Sequence, residues 1–460
     1  MNMKVKSFFA MMFAVTVLAA CSNDEQPAGG MDEGNGEDTW AAFSIRLPKT
    51  TASRSGEDDG RNDTEVETKV RNVALYVEQN GHLYTSGVLS ITDFADFDGA
   101  GSVFKAKIAI KAQAGEANVW AVVNPTDKMH TRIMELPANE AFHTAFEPLS
   151  YEMSGGYLHT QVQEPNGGFV MANKKTEGVT LKAGVNTEDE AVNGSKPDPE
   201  KNHFEIEVER AVAKVAVTSL EENLDDLNAL KEQGDFSDIR FYVAQINKET
   251  FMARKTDRDI QSNGAGIITP GNDHEGKGDF GTDVEIKDAL LINTPSISMK
   301  DLGSFYVLEN SMLEPLEQNA THAVIVATWT PNKLYKTDGE TEFTGYNTGD
   351  DYWFYESRYY GELPQELKNE DITVQDNYKW SEGKCYYRVY LYDKYNDRKC
   401  YEVVRNTLYN VKINSIKAPG ENNPDVPVEP TPIPEDVWVT ATIDILDWTM
   451  AQMDDVDLVR

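Results

Sequence analysis

Apolar and polar residues alternate one by one in short runs along almost the whole chain. That period of two belongs to half-buried strands and leaves little room for helices. Ala41, Phe43, Ile45 and Leu47 alternate with Ala42, Ser44 and Arg46, and Pro48 ends the run. Val73, Leu75 and Val77 follow, then Asn80-Gly81, a tight-turn signal that leads into His82. Phe104, Ala106, Ile108 and Ile110 alternate with Lys105, Lys107 and Lys111, and 119–123 is a short continuous apolar strand. From Phe204 the pattern resumes, with strands expected near 204–217, 241–246, 304–308, 323–329, 386–391 and 408–413. Loops rich in Gly and Asp separate them, notably 256–283. Helices are expected only near 138–145 and 224–231. The expected fold class is all-β with few short helices, built as antiparallel sandwiches. With 460 residues the chain has room for two or three domains. The polar stretch 184–203, with Asn193-Gly194 and two prolines, reads as their boundary.

The ends differ from the middle. Lys4 and Lys6 precede an apolar run over 8–20 that closes on Leu18-Ala19-Ala20-Cys21. A basic start, a short apolar stretch and small residues before the cut make a secretory signal. The cysteine behind them resembles a bacterial lipobox, with Cys21 as the lipid-bearing first residue. The run is too short to span a membrane, which takes roughly 20 residues. Residues 22–39 are acidic and Gly-rich, and read as a flexible tether. Near the other end, 417–435 is Pro-rich and reads as an extended, semi-rigid spacer. Beyond it Val437, Val439, Ala441, Ile443 and Ile445 alternate with Thr440, Thr442 and Asp444. The phase then shifts to Leu446, Trp448 and Met450, as a bulge at 445–446 would produce.

A formal net charge of −34 argues against nucleic acid as a partner and against adhesion of the folded body to anionic lipid. No H-E-x-x-H, phosphate loop or nucleophile elbow occurs, so no enzyme chemistry, metal or cofactor is expected. Asp93, Asp96, Asp98 and Gly99 lack the spacing and closing glutamate of a calcium loop. Cys385 and Cys400 flank an expected hairpin of 386–392 and 401–406. They are the candidate disulfide pair, although the turn near 393–398 is off-centre between them. Tyr352-Trp353-Phe354-Tyr355 with Tyr359 and Tyr360 could stack on sugar rings or could fill a core.

Two isolated strands therefore bracket the chain, with like patterns: Ala41/Phe43/Ile45/Leu47 and Val439/Ala441/Ile443/Ile445. A lone strand with an apolar face must add to a sheet. Either each pairs within its own domain, or both suit one groove. In the second case, cutting the loop at 49–63 frees the first strand, and the last strand of a neighbouring copy takes its place. Such a contact does not close on itself and makes filaments.

The chain resembles the fimbrillins of the Bacteroidales (type V pilins), in the branch of the short-fimbria major subunit. The segments that carry the resemblance are the lipobox, Gly115-Glu-Ala-Asn-Val-Trp-Ala-Val-Val-Asn124, Glu209-Arg-Ala-Val-Ala-Lys-Val215, Phe305-Tyr-Val-Leu-Glu-Asn310, Arg405-Asn-Thr-Leu-Tyr-Asn-Val-Lys-Ile-Asn414 and Ile445-Leu-Asp-Trp-Thr449 with Asp454-Asp-Val-Asp-Leu458. It implies two transthyretin-like β-sandwich domains and export as a lipoprotein to the outer-membrane surface. It also implies removal of the N-terminal arm by an Arg-specific surface protease, and polymerisation by donor-strand exchange. The expected parts are a signal peptide (1–20), a tether and removable strand (21–54), two sandwiches (55–203 and 204–416) and a linker with donor strand (417–460). Arg54-Ser55 lies in the right loop for the cut, Arg61 is the rival, and Arg46 should be protected inside its strand. The expected partners are copies of the chain itself, tip or anchor fimbrial subunits, the protease and a host or bacterial adhesion receptor. A tip or accessory subunit, or a surface glycan-binding lipoprotein, is the alternative role.

Overall fold

The structure is a computed structural model. It describes residues 36–48, 69–96, 103–137, 142, 146–147, 168–174, 177–194, 196–247, 250–253, 280–281, 290–292, 303–312, 314–395, 398–425, 427, 429–434 and 439–447. Cys21, Arg54, Ser55, Arg61 and Val437 lie outside these residues, as do nearly all of the helix expected at 138–145 and most of the loop 256–283. Gly36–Arg460 form one compact unit.

Its first half is a sandwich of β1 (Asp38–Arg46), β2 (Asn72–Gln79), β3 (His82–Ser90), β4 (Phe94–Asp96), β5 (Val103–Gln113), β6 (Gly115–Val123), β7 (Met171–Asn173), β8 (Glu177–Leu181) and β9 (His203–Arg210). The strand order is β3-β2-β6-β7-β9-β1-β5-β4, with β8 added against β6. Asn80 and Gly81 both have positive φ, 49° and 77°, so β2 and β3 close on the tight turn their sequence calls for. β9 belongs to both layers. Residues 203–207 pair parallel with β1, and 208–210 pair antiparallel with β7. The segment 204–210, assigned from its pattern to the second half, is thus paired within the first. Its alternation looks the same in either sheet, so only the pairing locates it. Two short helices cap this half. α1 (Asp127–Glu135) starts at Thr126, whose hydroxyl accepts from the Met129 amide, and it buries Met129 and Ile133. α2 (Glu188–Val192) has a reciprocal capping box of Thr187 and Glu190.

Ala211 alone separates β9 from β10 (Val212–Ser219), the first strand of the second sandwich. One layer there is β13 (Ser304–Leu308), β10, β21 (Thr407–Ile416) and β22 (Val439–Asp447), in that order. The facing layer is β12 (Leu290–Leu291), β11 (Gly234–Ala244), β14 (His322–Pro331) and β20 (Lys384–Tyr390). β10 and β21 run parallel, as do β1 and β9, so neither sandwich is purely antiparallel. Between β14 and β20 an insertion forms a small sheet of β15 (Leu334–Tyr335), β16 (Glu342–Phe343), β17 (Tyr352–Tyr355), β18 (Arg358–Tyr360) and β19 (Lys379–Trp380). The helix expected at 224–231 is only a 3-10 turn over Leu224–Leu227. Asn228 stops it, its side chain accepting from the Leu230 amide and donating to the Gly234 carbonyl.

Each sandwich has its own apolar core. The first joins Phe43, Ile45 and Phe204 to Val73, Leu75 and Val119. The second joins Val215, Phe241, Trp329 and Tyr409 to Ala441 and Ile443. A third cluster lies where the halves meet, with Tyr76, Trp120 and Phe142 from one side and Val212, Met252, Tyr306 and Leu308 from the other. Trp120 stacks on Phe142 with centroids 4.5 Å apart.

Candidate functional site

The two terminal strands have different standing in their sheets. β1 is internal, antiparallel to β5 on one edge and parallel to β9 on the other. Both of its faces are covered. Ala41, Phe43, Ile45 and Leu47 enter the first core, and Ala42 packs with Ala109, Val185 and Ala191 on the other side. A half-buried strand was expected; the short helix α2, not visible in the local pattern, closes the second face.

Polar clamps fix β1 in register. Thr39 Oγ1 donates to the Lys182 carbonyl at 2.7 Å and accepts from Asn202 Nδ2 at 2.9 Å. Asn202, fully buried with φ of 56°, also exchanges hydrogen bonds with the Lys182 backbone. Ser44 Oγ lies 2.8 Å from His203 Nε2. Burial first, and the Lys105 charge second, pull the His203 pKa down to about 4, so this imidazole is neutral at pH 7. Arg46 holds Glu205 with two parallel bonds, Nε to Oε1 at 2.6 Å and Nη2 to Oε2 at 2.9 Å. Arg46 is therefore committed inside a strand hydrogen-bonded on both edges.

β22 is an edge strand. It pairs antiparallel with β21 of its own chain and has no strand on its other side among the described residues. Ala441 and Ile443, 1% and 4% exposed, lie in the second core. Val439 and Ile445 share their parity in the strand and pair with Ile416 and Tyr409. In this structure the terminal strands thus lie in separate sandwiches, each in its own chain. The bulge expected at 445–446 is elsewhere. Pairing is continuous from Ile443 through Asp447, and the register shifts between Ile413 and Ser415, so the extra residue is on β21.

The Pro-rich segment is not a free spacer. The Tyr386 and Glu421 amides and carbonyls bond reciprocally at 2.8 and 2.9 Å. Tyr387 Oη donates to the Ala418 carbonyl, Trp380 Nε1 to that of Gly420, and Asn422 Nδ2 to those of Asp376 and Lys379. Arg388 bridges Glu317 on one side and Glu421 on the other, at 3.3 and 2.7 Å. Farther along, Gln318 Nε2 donates to the Pro427 and Glu429 carbonyls and Gln318 Oε1 accepts from the Thr431 amide. A bridge between Leu316 and Pro432 ends the contact. Composition suggested extension and could not reveal that side chains about 30 to 110 residues away supply the partners.

Three of the segments that carry the family resemblance converge at the junction of the sandwiches. Arg405, 0% exposed, pairs with Glu309 at 2.5 Å and donates to the Met252 carbonyl. The Arg405 pKa is raised: burial pulls it down, but the charge of Glu309, its hydrogen bond and the Glu209 charge outweigh that. Arg210 donates to Asn406 Oδ1, and the Asn406 amide donates to the Val212 carbonyl. This buried ionic joint was not singled out from the sequence, although its residues lie within the segments that carry the family resemblance.

Other sequence candidates resolve as structural. Cys385 is a free, buried thiol, 3.6 Å from Tyr352 Oη, and burial pushes its pKa up to about 12. The expected disulfide with Cys400 is therefore not formed. Nor does the expected hairpin exist as drawn: β20 pairs with β14, and the local hairpin is Asp393–Tyr395 with Arg398–Cys400. β-rich sequence on both sides of a turn fits either partner, and burial against β14 decides. Asp93 accepts from the Ser90 amide in a capping box. Among the described residues no group of three or more His, Cys, Asp or Glu side chains could hold a metal ion. Of the aromatic cluster, Tyr352 is fully buried and stacks on Trp380 at 5.5 Å, and Phe354 and Tyr359 pack on the second core. Trp353 and Tyr355 remain partly exposed.

Residues 378–454 match the family model for the C-terminal region of the type IV major fimbrial subunit protein, fimbrillin. No curated protein sequence matches the chain. Among solved structures, a Parabacteroides distasonis protein described as a cell adhesion protein is 15% identical, with a TM-score of 0.48 over 89% of this chain and 100% of its own. The fimbrilin FimA of Porphyromonas gingivalis is 16% identical, with a TM-score of 0.47 over 90% of this chain and 99% of that one. The tip fimbrial protein Mfa3 of the same organism is 12% identical, with a TM-score of 0.40 over 88% and 99%. The matched segment begins at β19 and takes in β20, β21, the Pro-rich segment and β22, so over residues 378–454 this chain is similar to the C-terminal region of fimbrillins.

Proposed function

We propose that this chain is a structural subunit of a cell-surface fimbria, polymerised by exchange of its terminal strands. The observation that carries the reading is the contrast between the strands. β1 is internal, so its removal leaves a slot with an unpaired edge of β5 on one side and of β9 on the other. β22 is an edge strand with a like alternation of apolar residues, bonded along one side only among the described residues. Peeling an edge strand breaks one ladder, whereas filling an internal slot makes two. Exchange therefore gains backbone hydrogen bonds once β1 is gone. On this reading Val437, Val439, Ala441, Ile443 and Ile445 of one copy replace Ala41, Phe43, Ile45 and Leu47 of the next.

The remaining steps follow from the same reading. The chain is exported as a lipoprotein through Cys21 to the outer-membrane surface. An Arg-specific protease cuts after Arg54, ahead of Ser55, with Arg61 the rival position. Mature copies extend a shaft used in adhesion and colonisation, with tip or anchor subunits at its ends. The sandwiches act as two modules joined at residues 204–211. Electron microscopy of the purified chain before and after limited Arg-specific proteolysis tests the whole scheme. Fibres that appear only after cleavage support it, and abundant fibres from the uncut chain refute it.

A further inference from the structure

The Pro-rich segment raises a question that the exchange reading alone leaves open: how much of the C-terminal arm leaves the body when β22 does. As a free leash, all of 417–438 would swing out. The contacts point elsewhere. Three stations hold the segment, each using side chains of the body rather than residues of β22.

The first station is Ala418–Asn422. There the reciprocal Tyr386–Glu421 bridge and donations from Tyr387, Trp380 and Asn422 pin the chain against β19 and β20. A Cβ built on Gly420 would stand 2.3 Å from the Tyr386 carbonyl oxygen, so the backbone lies flush on β20 and only glycine fits. The second station is Arg388, whose side chain is 9% exposed. It bonds Glu317, Glu421 and the Asn423 and Asp425 carbonyls. The third is the loop at 316–318, where Glu317 donates its amide to the Thr431 carbonyl at 2.9 Å and Gln318 bonds the Pro427 and Glu429 carbonyls and the Thr431 amide. Ile433 then packs with Met312, Ala320 and Tyr390.

We infer that residues 417–432 are a fixed strap and that strand exchange begins only beyond the Leu316–Pro432 bridge. This rests on the exchange reading and refines it. The exit point of the donor strand is then set by the acceptor-independent contacts of Arg388 and Gln318, and the segment counts as body rather than leash. Proline suits this use, because its fixed φ lowers the entropy lost on docking and its missing N–H leaves fewer donors to satisfy. Releasing the strap would strip the buried Arg388 of Glu421 and of the Asn423 and Asp425 carbonyls, leaving it only Glu317 at 3.3 Å. A buried guanidinium that loses most of its partners is disfavoured.

Two engineered disulfides separate the possibilities. Leu316→Cys with Pro432→Cys locks the end of the strap, and Lys412→Cys with Thr442→Cys locks β22 to β21. The first pair faces across an isolated antiparallel bridge and the second across the β21–β22 ladder, and bridge-partner backbone spacing suits a disulfide. Each full-length variant is oxidised, cleaved with an Arg-specific protease and followed by electron microscopy, with and without reductant. The inference expects the strap clamp to assemble like the parent, and the strand clamp to assemble only after reduction. If both clamps block until reduced, the strap must leave the body; the inference falls and strand exchange stands. If neither blocks, β22 is not the donor, and the exchange reading falls with the inference. Hydrogen exchange gives an independent readout. The Glu421 and Thr431 amides should keep their protection from monomer to fibre, and their loss of protection in the fibre would overturn the strap.

Discussion

Five side chains decide most at the level of single residues. Ile443 is buried in the second core, so Ile443→Ala should lower the stability of the uncut chain by about 2–4 kcal/mol, read from the urea midpoint. Arg405 and Glu309 form a buried pair at the joint between the halves. Removing one partner strands the other, so Arg405→Met alone should cost about 3–5 kcal/mol. Adding Glu309→Leu should recover much of that, and no recovery in the double variant would show that the pair is not coupled. His203 and His322 are both buried, and burial first pulls each pKa down to about 4. The unfolded chain then binds more protons than the folded one below pH 6.5. Stability is full above about 6.5 and falls as pH drops toward 4, by roughly 3 kcal/mol per histidine. Denaturant titrations at pH 7 and 4.5 check this. His322→Gln should flatten the profile, and an unchanged pH slope in that variant would remove His322 as a cause.

Elements differ in how far their sequence specified them. The β2–β3 hairpin was legible because its turn needs two residues with positive φ and Asn-Gly supplies them. β1 and β22 were legible as strands from their alternation. Their partners were not, because a period of two states that a face is buried without saying against what. For the same reason β9 was placed in the wrong half and β20 given the wrong partner. α1 was missed while a helix was expected at 138–145, since nine residues with only Met129 and Ile133 buried carry little periodicity. The edge position of β22 carries its own prediction. Deleting residues 437–460 should leave a folded chain with native far-ultraviolet circular dichroism, a lower urea midpoint and no filament growth after Arg-specific cleavage. Normal fibres from the truncated chain would exclude β22 as the donor. The strap has a matching test: Gly420→Ala forces the backbone off β20 and should raise hydrogen exchange at Glu421 without unfolding the sandwiches.

For the whole molecule, some properties followed from the sequence alone. Alternation fixed an all-β chain, turn chemistry fixed where hairpins close, and charge argued against polyanionic partners. These are local or additive quantities, set by each residue's neighbours in the chain. Other properties required the tertiary structure. That β1 is an internal strand and β22 an edge strand depends on β5, β9 and β21, which lie up to about 160 residues away in sequence. The buried joint of Arg210, Glu309, Arg405 and Asn406 draws on three separate segments. The strap exists because Trp380, Tyr387, Arg388 and Gln318 converge on a stretch whose own composition suggests only extension. A hydrophobic pattern records how much surface must leave water. Which surface meets it is settled by backbone hydrogen bonds and charge pairs that form only between distant residues, and only once both sandwiches have closed.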